Sequence, residues 1–379
     1  MNRGGLKCRA CMRPGRRIAT DSLPMVFSDC LPWVGPQATW FACGCGYIGK
    51  ALDQEYESAL AVGYSTYTPF HQGGGEEQAV TQDGSSFQSR SLQVLTWLLK
   101  ENLIPSNGSL LDYGCGNGSF LKASAVLAPK MELHAADISD SHRSAVLALP
   151  HVRSFQVLPF EPAEVQKFNV ISLIHVLEHV PEPIAVLASL ATRLIEGGVI
   201  VIQVPDLLAN SFDLVIADHL SHFTEESASN LARAAGFEVV ASVRGVVPKE
   251  VSLTLRWASS ALSSISLSND TARQLTSHAF EFLDQWKFQA SSNGATGIPV
   301  TIFGSSIAAS WVASLVHDDS HLVKEFLDED PARQGWQLRG FEIRQPSRVQ
   351  RSERGVVLVP LVPVSARLHS LGFEPVFLV

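Results

Sequence analysis

The stretch LLDYGCGNGSFL, from Leu110 to Leu121, decides the fold of this chain. Its apolar start predicts a short buried strand, its end predicts the first turn of a helix, and Gly114, Gly116 and Gly118 alternate between them. Glycine has no Cβ, so it lets the backbone turn tightly and lets a bulky ligand approach the main chain. A glycine-rich turn is a weak signal alone, because dinucleotide-binding folds share it.

Strand and helix patterns alternate on both sides of this turn. Apolar spacing predicts one helix before it, at residues 86–103. The strands expected after it run from Glu132 to Ala136, Val152 to Leu158, Asn169 to His175 and Val199 to Val204. The helices expected after it run from Gly118 to Leu127, from Ile184 to Leu194 with Gly197 and Gly198 closing it, and from Glu225 to Ala235. This alternation predicts a parallel sheet covered by helices on both faces.

The length of 379 residues exceeds one ordinary domain of about 150 residues, so several folding units are expected. We predict an α/β core domain at 86–240, preceded by a small cysteine-rich domain at 1–50. Residues 51–85, with the glycine run at 73–75, are expected to link the two and to form a loop over the site. We expect a helical connection at 241–295.

A second, smaller α/β domain is predicted at residues 296–379. A strand from Pro299 to Phe303, a helix from Ile307 to Val316 and a strand from Glu325 to Leu327 follow one another there. The valine-rich segment from Val356 to Val364 is too short to span a membrane and predicts a further buried strand. A single glycine, Gly304, falls short of a dinucleotide fingerprint, so no second cofactor is expected in this domain.

Four of the six cysteines fall into two close pairs, Cys8 with Cys11 and Cys43 with Cys45. Two thiolate pairs on turns can close a tetrahedral Zn²⁺ site, which supplies the folding energy that a unit of about 50 residues lacks. The gap in the second pair is tighter than usual, so Cys30 is an alternative ligand. On either choice the zinc is structural, since four thiolates leave no open position for a substrate.

Composition limits the partners of the chain. Hydrophobic residues make up 46% and charged residues 17%, as is normal for a globular protein. The formal net charge of -8 argues against a protein that mainly binds nucleic acid. No secretory signal and no apolar run of about 18 residues are found, so a cytoplasmic location without a membrane partner is expected.

Two acidic residues end neighbouring predicted strands. Asp112 ends the strand before the glycine turn, and Asp137 ends the next strand. In dinucleotide folds an acid at the second place accepts hydrogen bonds from ribose hydroxyls. The alternative for Asp137 is a turn or helix-cap residue.

Two later stretches, FNVISLIHVLEHVPEP and LIEGGVIVIQVP, complete the pattern. With the glycine turn and Asp137 they resemble, over residues 86–240, the class I S-adenosylmethionine-dependent methyltransferase family. The resemblance implies a Rossmann-like core that binds S-adenosylmethionine. It also implies that Asp112, Gly114, Gly116 and Asp137 contact this cofactor.

The whole chain is similar to the three-domain, zinc-containing C-methyltransferases of nucleotide-linked keto-deoxysugars. TIFGSSIAAS and FLDEDPARQGWQLRGFEI carry that likeness in the last unit. The likeness implies a small nucleotide-sugar substrate and methylation of the carbon beside its ketone. Within IADHLSHF, residues 216–223, it makes His219 the base that removes a proton and Asp218 the acid that orients or polarises it.

Two more positions match site residues of that family: His179 near the sugar, and Tyr67, with Tyr64 as the alternative, on the N-terminal side. His222 is expected to contact the substrate because, with His179 and His219, it lies on the side where such sheets bind ligands. An imidazole titrates near neutral pH, which suits proton removal. The alternative for His219 is a loop histidine that packs beneath the following helix. His175 and Cys115 are interpreted as structural residues.

This chain departs from the family at three of these positions. Asp218 stands where the family tends to have glutamate, and Ile216 and His222 stand where it tends to have tyrosine. These departures keep two alternatives open. One is an O- or N-methyltransferase acting on a sugar or a natural-product scaffold, and the other is a non-catalytic cofactor-binding or scaffold protein.

Overall fold

The computed structural model of the chain describes most of its length. The described residues are 6–20, 22–67, 75, 77, 79–80, 88–160, 165–258, 262–263, 267–294, 297–316, 322–348, 356–358 and 375–376. The glycines at 73 and 74, the first two residues of the helix expected at 86–103, and residues 359–364 of the expected last strand lie outside these ranges.

The N-terminal part contains short strands and two capped helices. In chain order they are β1 (Arg16–Arg17), β2 (Trp40–Ala42), β3 (Ile48–Lys50), α1 (Gln54–Thr66), β4 (Ala79–Val80), β5 (Gln88–Ser89) and α2 (Arg90–Lys100). Asp53 caps α1 by accepting from the backbone N–H of Tyr56, and the Ser89 hydroxyl accepts from the backbone of Leu92 in α2. The Ser89 cap explains why α2 begins later than the sequence predicted.

A seven-stranded mixed sheet forms the central part of the molecule. Its region comprises β6 (Asn107–Tyr113), α3 (Ser119–Leu127), β7 (Lys130–Asp137), α4 (Arg143–Leu147), β8 (Val152–Val157), β9 (Phe168–Ile174), α5 (Pro183–Ala191), β10 (Leu194–Pro205), β11 (Ser221–His222), α6 (Glu225–Ala234), β12 (Phe237–Arg244) and β13 (Glu250–Trp257). The strand order is β12-β13-β10-β9-β6-β7-β8, and the five strands from β10 to β8 are parallel. The predicted α/β fold is therefore confirmed for this region.

Three details of the prediction are wrong. The sheet is not all parallel, because β13 runs antiparallel to both of its neighbours. The connection expected to be helical at 241–295 contains this strand, whose Val251, Leu253 and Leu255 alternate with polar residues that are also buried. The helix expected to end at Leu194 ends at Ala191, since Leu194 already pairs with Phe168 of β9 as the start of β10.

The two-residue strand β11 does not belong to the central sheet. It pairs antiparallel with β3, so that Ser221 lies opposite Gly49 and His222 opposite Ile48, and it completes a four-stranded sheet in the order β1-β2-β3-β11. A segment of the central region is therefore built into the N-terminal sheet. The two regions cannot be separated without breaking this ladder.

A third sheet follows a long helix. The elements are α7 (Asn269–Gly294), β14 (Val300–Phe303), α8 (Ile307–Val316), β15 (Val323–Leu327), β16 (Gln337–Leu338), β17 (Phe341–Arg344), β18 (Val356–Leu358) and β19 (Pro375–Val376). The strand order is β16-β17-β15-β14-β18-β19, and every pair except β16 with β17 is parallel. That this part is a separate domain stays a prediction. No described helix, α7 included, is both long and apolar enough for a membrane span.

One hydrophobic cluster joins the N-terminal part to the C-terminal sheet. Its buried residues come from β2 and β3, from residues 207–215, from α7 and from α8 with its neighbouring strands. The indole N–H of Trp311, on α8, donates to the backbone carbonyl of Pro24 at 2.8 Å, and the Ser310 hydroxyl donates to the carbonyl of Cys30. The two ends of the chain therefore share one core.

Replacing Trp311 by alanine should destabilise both ends together. Trp311 is fully buried, so we expect Trp311→Ala to lower the free energy of unfolding by about 3–5 kcal/mol. Thermal unfolding of this variant should be compared with that of Trp336→Ala, whose side chain is 47% exposed. Equal melting temperatures for the two variants would contradict a shared core around Trp311.

Candidate functional site

The predicted site residues gather at the carboxyl edge of the central sheet. The glycine turn follows β6, Asp137 ends β7, residues 175–179 follow β9, and residues 206–220 follow β10. The strand order reverses between β6 and β9, since the chain continues outward to β7 on one side and to β10 on the other. In open α/β sheets such a switch point opens a crevice where ligands bind.

The glycine turn is held by the neighbouring strand and leaves space above it. The backbone N–H groups of Gly114 and Cys115 both donate to the carbonyl of Ala136, at 2.7 and 3.1 Å. Gly114 has φ of 76°, and a Cβ there would lie 2.5 Å from Val176, whereas a Cβ on Gly116 would meet nothing within 4 Å among the described residues. Glycine is therefore required at 114 by close packing, whereas no described atom crowds Gly116.

The two predicted cofactor acids occupy different environments. Asp112 is buried and its Oδ1 accepts from the Ser172 hydroxyl at 2.7 Å; burial raises the pKa of Asp112 to about 7. Asp137 accepts from the backbone N–H of Gly116 at 2.8 Å and from that of Ser139 at 3.0 Å. Asp137 thus fixes the turn, and since a carboxylate accepts about four hydrogen bonds it keeps capacity for a ligand hydroxyl.

The four paired cysteines come together. The ligand atoms of Cys8, Cys11, Cys43 and Cys45 all lie within 4.8 Å of one another, and among the described residues this group does not include Cys30. The Sγ–Sγ distances are 3.6 Å for Cys8 with Cys45 and 3.5 Å for Cys11 with Cys43. Four thiolates at about 2.3 Å from a tetrahedral Zn²⁺ stand about 3.8 Å apart, so the cluster fits this ion.

The acid that orients His219 by a hydrogen bond is Asp213, whereas Asp218 contacts the ring of His179. The Nδ1 atom of His219 lies 2.6 Å from Oδ1 of Asp213, and Nδ1 of His222 lies 2.5 Å from Oδ2 of the same carboxylate. Asp213 is fully buried, in the 3-10 turn Ser211–Val215 that follows β10. One buried carboxylate therefore orients two histidines, and it was not singled out in the sequence.

Asp218 is instead the partner of His179. Oδ2 of Asp218 lies 3.2 Å from Nδ1 of His179 and also accepts from the hydroxyls of Ser28 and Tyr64, at 2.7 and 3.3 Å. The Tyr64 hydroxyl lies 3.3 Å from the same histidine nitrogen. Tyr67 lies beside the Tyr64 ring and is 37% exposed. Both tyrosines therefore lie near Asp218, and Tyr64 also lies within hydrogen-bond distance of His179.

The rings of His179 and His219 are in edge-to-face contact, with their centroids 4.6 Å apart and an interplanar angle of 85°. His222 is more deeply placed: it is fully buried in β11 against Trp40, and its Nε2 has no hydrogen-bond partner among the described residues. The structure thus brings His179 and His219 together at the surface of the crevice. It places His222 behind them.

Glu178 and His175 form the floor of this cluster. Glu178 is fully buried, and its Oε1 lies 2.9 Å from Nδ1 of His175, whose Nε2 lies 3.2 Å from Glu250. Burial alone would lower the pKa of His175, but Glu250 and Glu178 raise it to about 9. His175 therefore carries a positive charge between two carboxylates.

Buried charges of opposite sign balance one another around the histidines. Burial opposes ionisation of Asp213 and Asp218, yet the adjacent histidines hold the pKa of each carboxyl well below its usual range. Burial also lowers the pKa of His222 to about 4, so this ring is neutral near pH 7. The pKa of His179 is raised, because Asp218 outweighs the effect of burial.

Buried Lys50, the last residue of β3, supports the same carboxylates. Burial lowers the pKa of its amine to about 7, and the charges of Asp213 and Asp218 oppose that shift. The Lys50 amine donates to the backbone carbonyls of Ile216 and His219. It therefore holds the loop that carries two of the predicted site residues.

Residues of the N-terminal part bind the rest of the 216–220 loop. Arg9, between the cluster residues Cys8 and Cys11, donates to the backbone carbonyls of Leu220 and Lys50 at 2.9 Å and to that of Pro181 at 3.0 Å. The Tyr56 hydroxyl donates to the carbonyl of Ala217 at 2.8 Å. The cysteine cluster is thereby connected to both loops that carry the facing histidines.

The match to known proteins concerns the central part. Residues 87–242 match the family model described as a methyltransferase domain. The chain matches no curated protein in sequence. Together with the fold and the glycine turn, the domain match shows that residues 87–242 form a methyltransferase domain. The chain therefore contains a methyltransferase domain that accounts for its central part.

Three solved structures illustrate the likeness. The 1,6-didemethyltoxoflavin N1-methyltransferase of Burkholderia thailandensis is 19% identical with a TM-score of 0.41, covering 62% of this chain and 100% of its own. An S-adenosylmethionine-dependent methyltransferase from Clostridium acetobutylicum is 11% identical with a TM-score of 0.36, and the match covers 44% of this chain and 90% of its own. A methyltransferase of calicheamicin biosynthesis is 19% identical with a TM-score of 0.36, and the match covers 44% of this chain and 55% of its own.

Replacing Asp213 by asparagine tests its role. We expect Asp213→Asn to lower turnover on the order of 100-fold or more, because the amide neither fixes the His219 tautomer nor stabilises its protonated form. Affinity for S-adenosylhomocysteine should stay nearly unchanged, since Asp213 does not touch the glycine turn. The matched control is Asp206→Asn, which removes a buried carboxylate paired with Arg244. Equal turnover in both variants would contradict the role of Asp213.

Metal analysis tests the cysteine cluster. We expect purified protein to hold at least one equivalent of zinc, and Cys43→Ser to hold one equivalent less and to melt at a lower temperature, because a structural site contributes its binding energy to folding. Cys30→Ala removes a buried sulfur outside the cluster and should keep the metal. Protein that contains no zinc, or that loses it equally in both variants, would exclude a zinc cluster.

Proposed function

We propose that this methyltransferase transfers the methyl group to a carbon of a small nucleotide-linked 4-keto-deoxysugar, through an enolate that His219 generates. The support for a carbon acceptor is the resemblance of the three parts of the chain to the keto-deoxysugar C-methyltransferases. The observation that carries the proposal is the hydrogen bond of 2.6 Å between His219 Nδ1 and the buried Asp213. It leaves Nε2 as the nitrogen that accepts a proton.

The carboxylate of Asp213 positions His219 for proton removal. It selects the tautomer in which Nδ1 carries the proton, so that Nε2 presents its lone pair to the acceptor. A hydrogen beside a ketone is acidic only when the enolate is stabilised, so a positioned base near neutral pH is what the reaction needs. His179, whose ring faces His219, stands where it can contact the acceptor oxygen.

The glycine turn holds the methyl donor in this proposal. Gly116 borders the space for the ligand, Asp137 offers its remaining lone pairs to ribose hydroxyls, and Asp112 lies beneath the turn. When bound, S-adenosylmethionine supplies a methyl group on a sulfonium sulfur, and the acceptor enolate takes it. The protein contributes mainly alignment, since sulfonium is already a good leaving group.

The remaining parts have supporting roles in the proposal. The cysteine cluster binds a structural Zn²⁺, as its sulfur spacing supports. Tyr64 and Tyr67 contribute to the acceptor site from the N-terminal side, and His222 acts from behind through Asp213. We infer that residues 1–50 and 296–379 are the flanking domains and that the protein acts in the cytoplasm on a small molecule.

A second candidate is O- or N-methylation of a sugar or natural-product scaffold. It is favoured by the pairing of His179 with Asp218, because this second dyad, with the Tyr64 hydroxyl, also suits removal of a proton from an acceptor hydroxyl. In that case the acceptor loses an O–H or N–H proton and all of its C–H bonds survive.

Replacing His219 by alanine tests the base. With a panel of nucleotide-sugars and labelled methyl donor, we expect His219→Ala to lower turnover by on the order of 10² to 10⁴, the usual share of a positioned base. Its affinity for S-adenosylhomocysteine, measured by calorimetry, should stay nearly unchanged. His278→Ala, an exposed histidine on α7, is the control. Undiminished turnover in His219→Ala would remove this residue from the mechanism.

A further inference from the structure

Three side chains of the crevice are arranged as ligands of a single cation. One ligand atom each from Glu178, His179 and His219 lies within 4.8 Å of the other two. Two imidazoles and a carboxylate are the ligand set of many metal sites that keep an open position. The cysteines of the zinc cluster do not belong to this group.

Both histidine rings are held in the orientation that metal ligation requires. Nδ1 of His219 faces the buried carboxylate of Asp213, and Nδ1 of His179 faces that of Asp218. Histidines that bind metals usually donate one ring N–H to a carboxylate, which fixes the tautomer and makes the other nitrogen more basic. Here both rings have such a partner, so both Nε2 atoms are the ones left to bind a ligand.

The third ligand is a buried carboxylate oxygen without a partner. Glu178 is fully buried, and its Oε1 faces His175, but its Oε2 accepts no hydrogen bond from any residue that the structure describes. Burial opposes ionisation of Glu178, yet His175 keeps its pKa below the usual value. A buried charged oxygen without a partner costs free energy, and a cation would satisfy it.

The geometry points to a binding site for a divalent transition-metal cation, such as Zn²⁺ or Co²⁺, formed by Glu178, His179 and His219. Mixed imidazole and carboxylate ligands suit these ions better than Mg²⁺ or Ca²⁺, which favour sites made of oxygen atoms. Three protein ligands leave one position of a four-coordinate ion for water or another ligand. The site is distinct from the structural cysteine cluster.

The cation regulates the proposed reaction, and this part of the inference rests on the proposed function. A ring nitrogen that donates its lone pair to a metal cannot accept a proton at the same time. The cation and the acceptor hydrogen therefore compete for Nε2 of His219. Occupancy of the site should switch off enolate formation and leave cofactor binding intact.

Titration with Co²⁺ tests the site in full-length protein whose cysteine cluster is already loaded with zinc. We expect one further Co²⁺ to bind, seen by equilibrium dialysis and by a visible absorption spectrum without thiolate-to-cobalt charge transfer. Glu178→Gln and His179→Gln should each weaken this binding at least tenfold. The exposed neighbour Glu182 supplies the control Glu182→Gln, which should bind like the unaltered protein. Affinity for S-adenosylhomocysteine verifies that each variant is folded.

The outcomes separate the site from the reaction. The site would be overturned if no Co²⁺ bound beyond the cluster metal, or if folded Glu178→Gln and His179→Gln bound Co²⁺ as tightly as the unaltered protein. This binding is measured without any acceptor. Inhibition of turnover by Co²⁺, with a midpoint equal to the dissociation constant of Co²⁺, supports competition between the cation and the acceptor hydrogen for Nε2 of His219. Binding accompanied by faster turnover would leave the site standing and overturn His219 as the base.

Discussion

Two buried carboxylates, Asp213 and Asp218, determine how this crevice is built. A buried charge is costly unless groups of opposite charge or hydrogen-bond donors surround it. Here each carboxylate orients a histidine that faces the crevice, and Lys50 lies close enough to both to interact with their charges. The histidines are held in place because Nδ1 of each ring lies within hydrogen-bond distance of a buried carboxylate.

The cation that supports these carboxylates comes from the N-terminal sheet, and this explains the architecture. Lys50 ends β3, the strand that pairs with β11, and its amine donates to two carbonyls of the 216–220 loop. Arg9, between two residues of the cysteine cluster, donates to the carbonyl of Leu220. The cysteine-rich part therefore does more than fold itself, since it supplies the donors that fix the loop bearing His219.

Much of the fold was accessible from the sequence because its signals are local. The glycine turn, the strands that precede Gly114 and end at Asp137, and the two cysteine pairs are each recognisable within a few residues. Strand β13 was missed because it lies in a segment whose serine and alanine content suggested helix. The end of α5 was misjudged because pairing of Leu194 with β9 overrides the helical pattern.

The site was less predictable, because its contacts join distant parts of the chain. Asp213 lies in a short 3-10 turn with no motif, and only the tertiary fold shows that it, not the adjacent Asp218, orients His219. Lys50 and Arg9 belong to no motif that would mark them in the sequence. Their side chains donate to the backbone carbonyls of Leu220 and His219, which lie more than 150 positions away in the chain. The sequence marks Glu178 in one way only, because in HVLEHV it stands between two histidines.

The central claim is that a histidine oriented by Asp213 removes a proton from carbon. The most direct measurement incubates the protein with nucleotide-linked 4-keto-deoxysugars in deuterated water, without S-adenosylmethionine, and follows the sugar by NMR or mass spectrometry. The account predicts that deuterium enters the carbon beside the ketone of the true substrate. A substrate that is methylated when the cofactor is added, yet never takes up deuterium without it, would contradict the account.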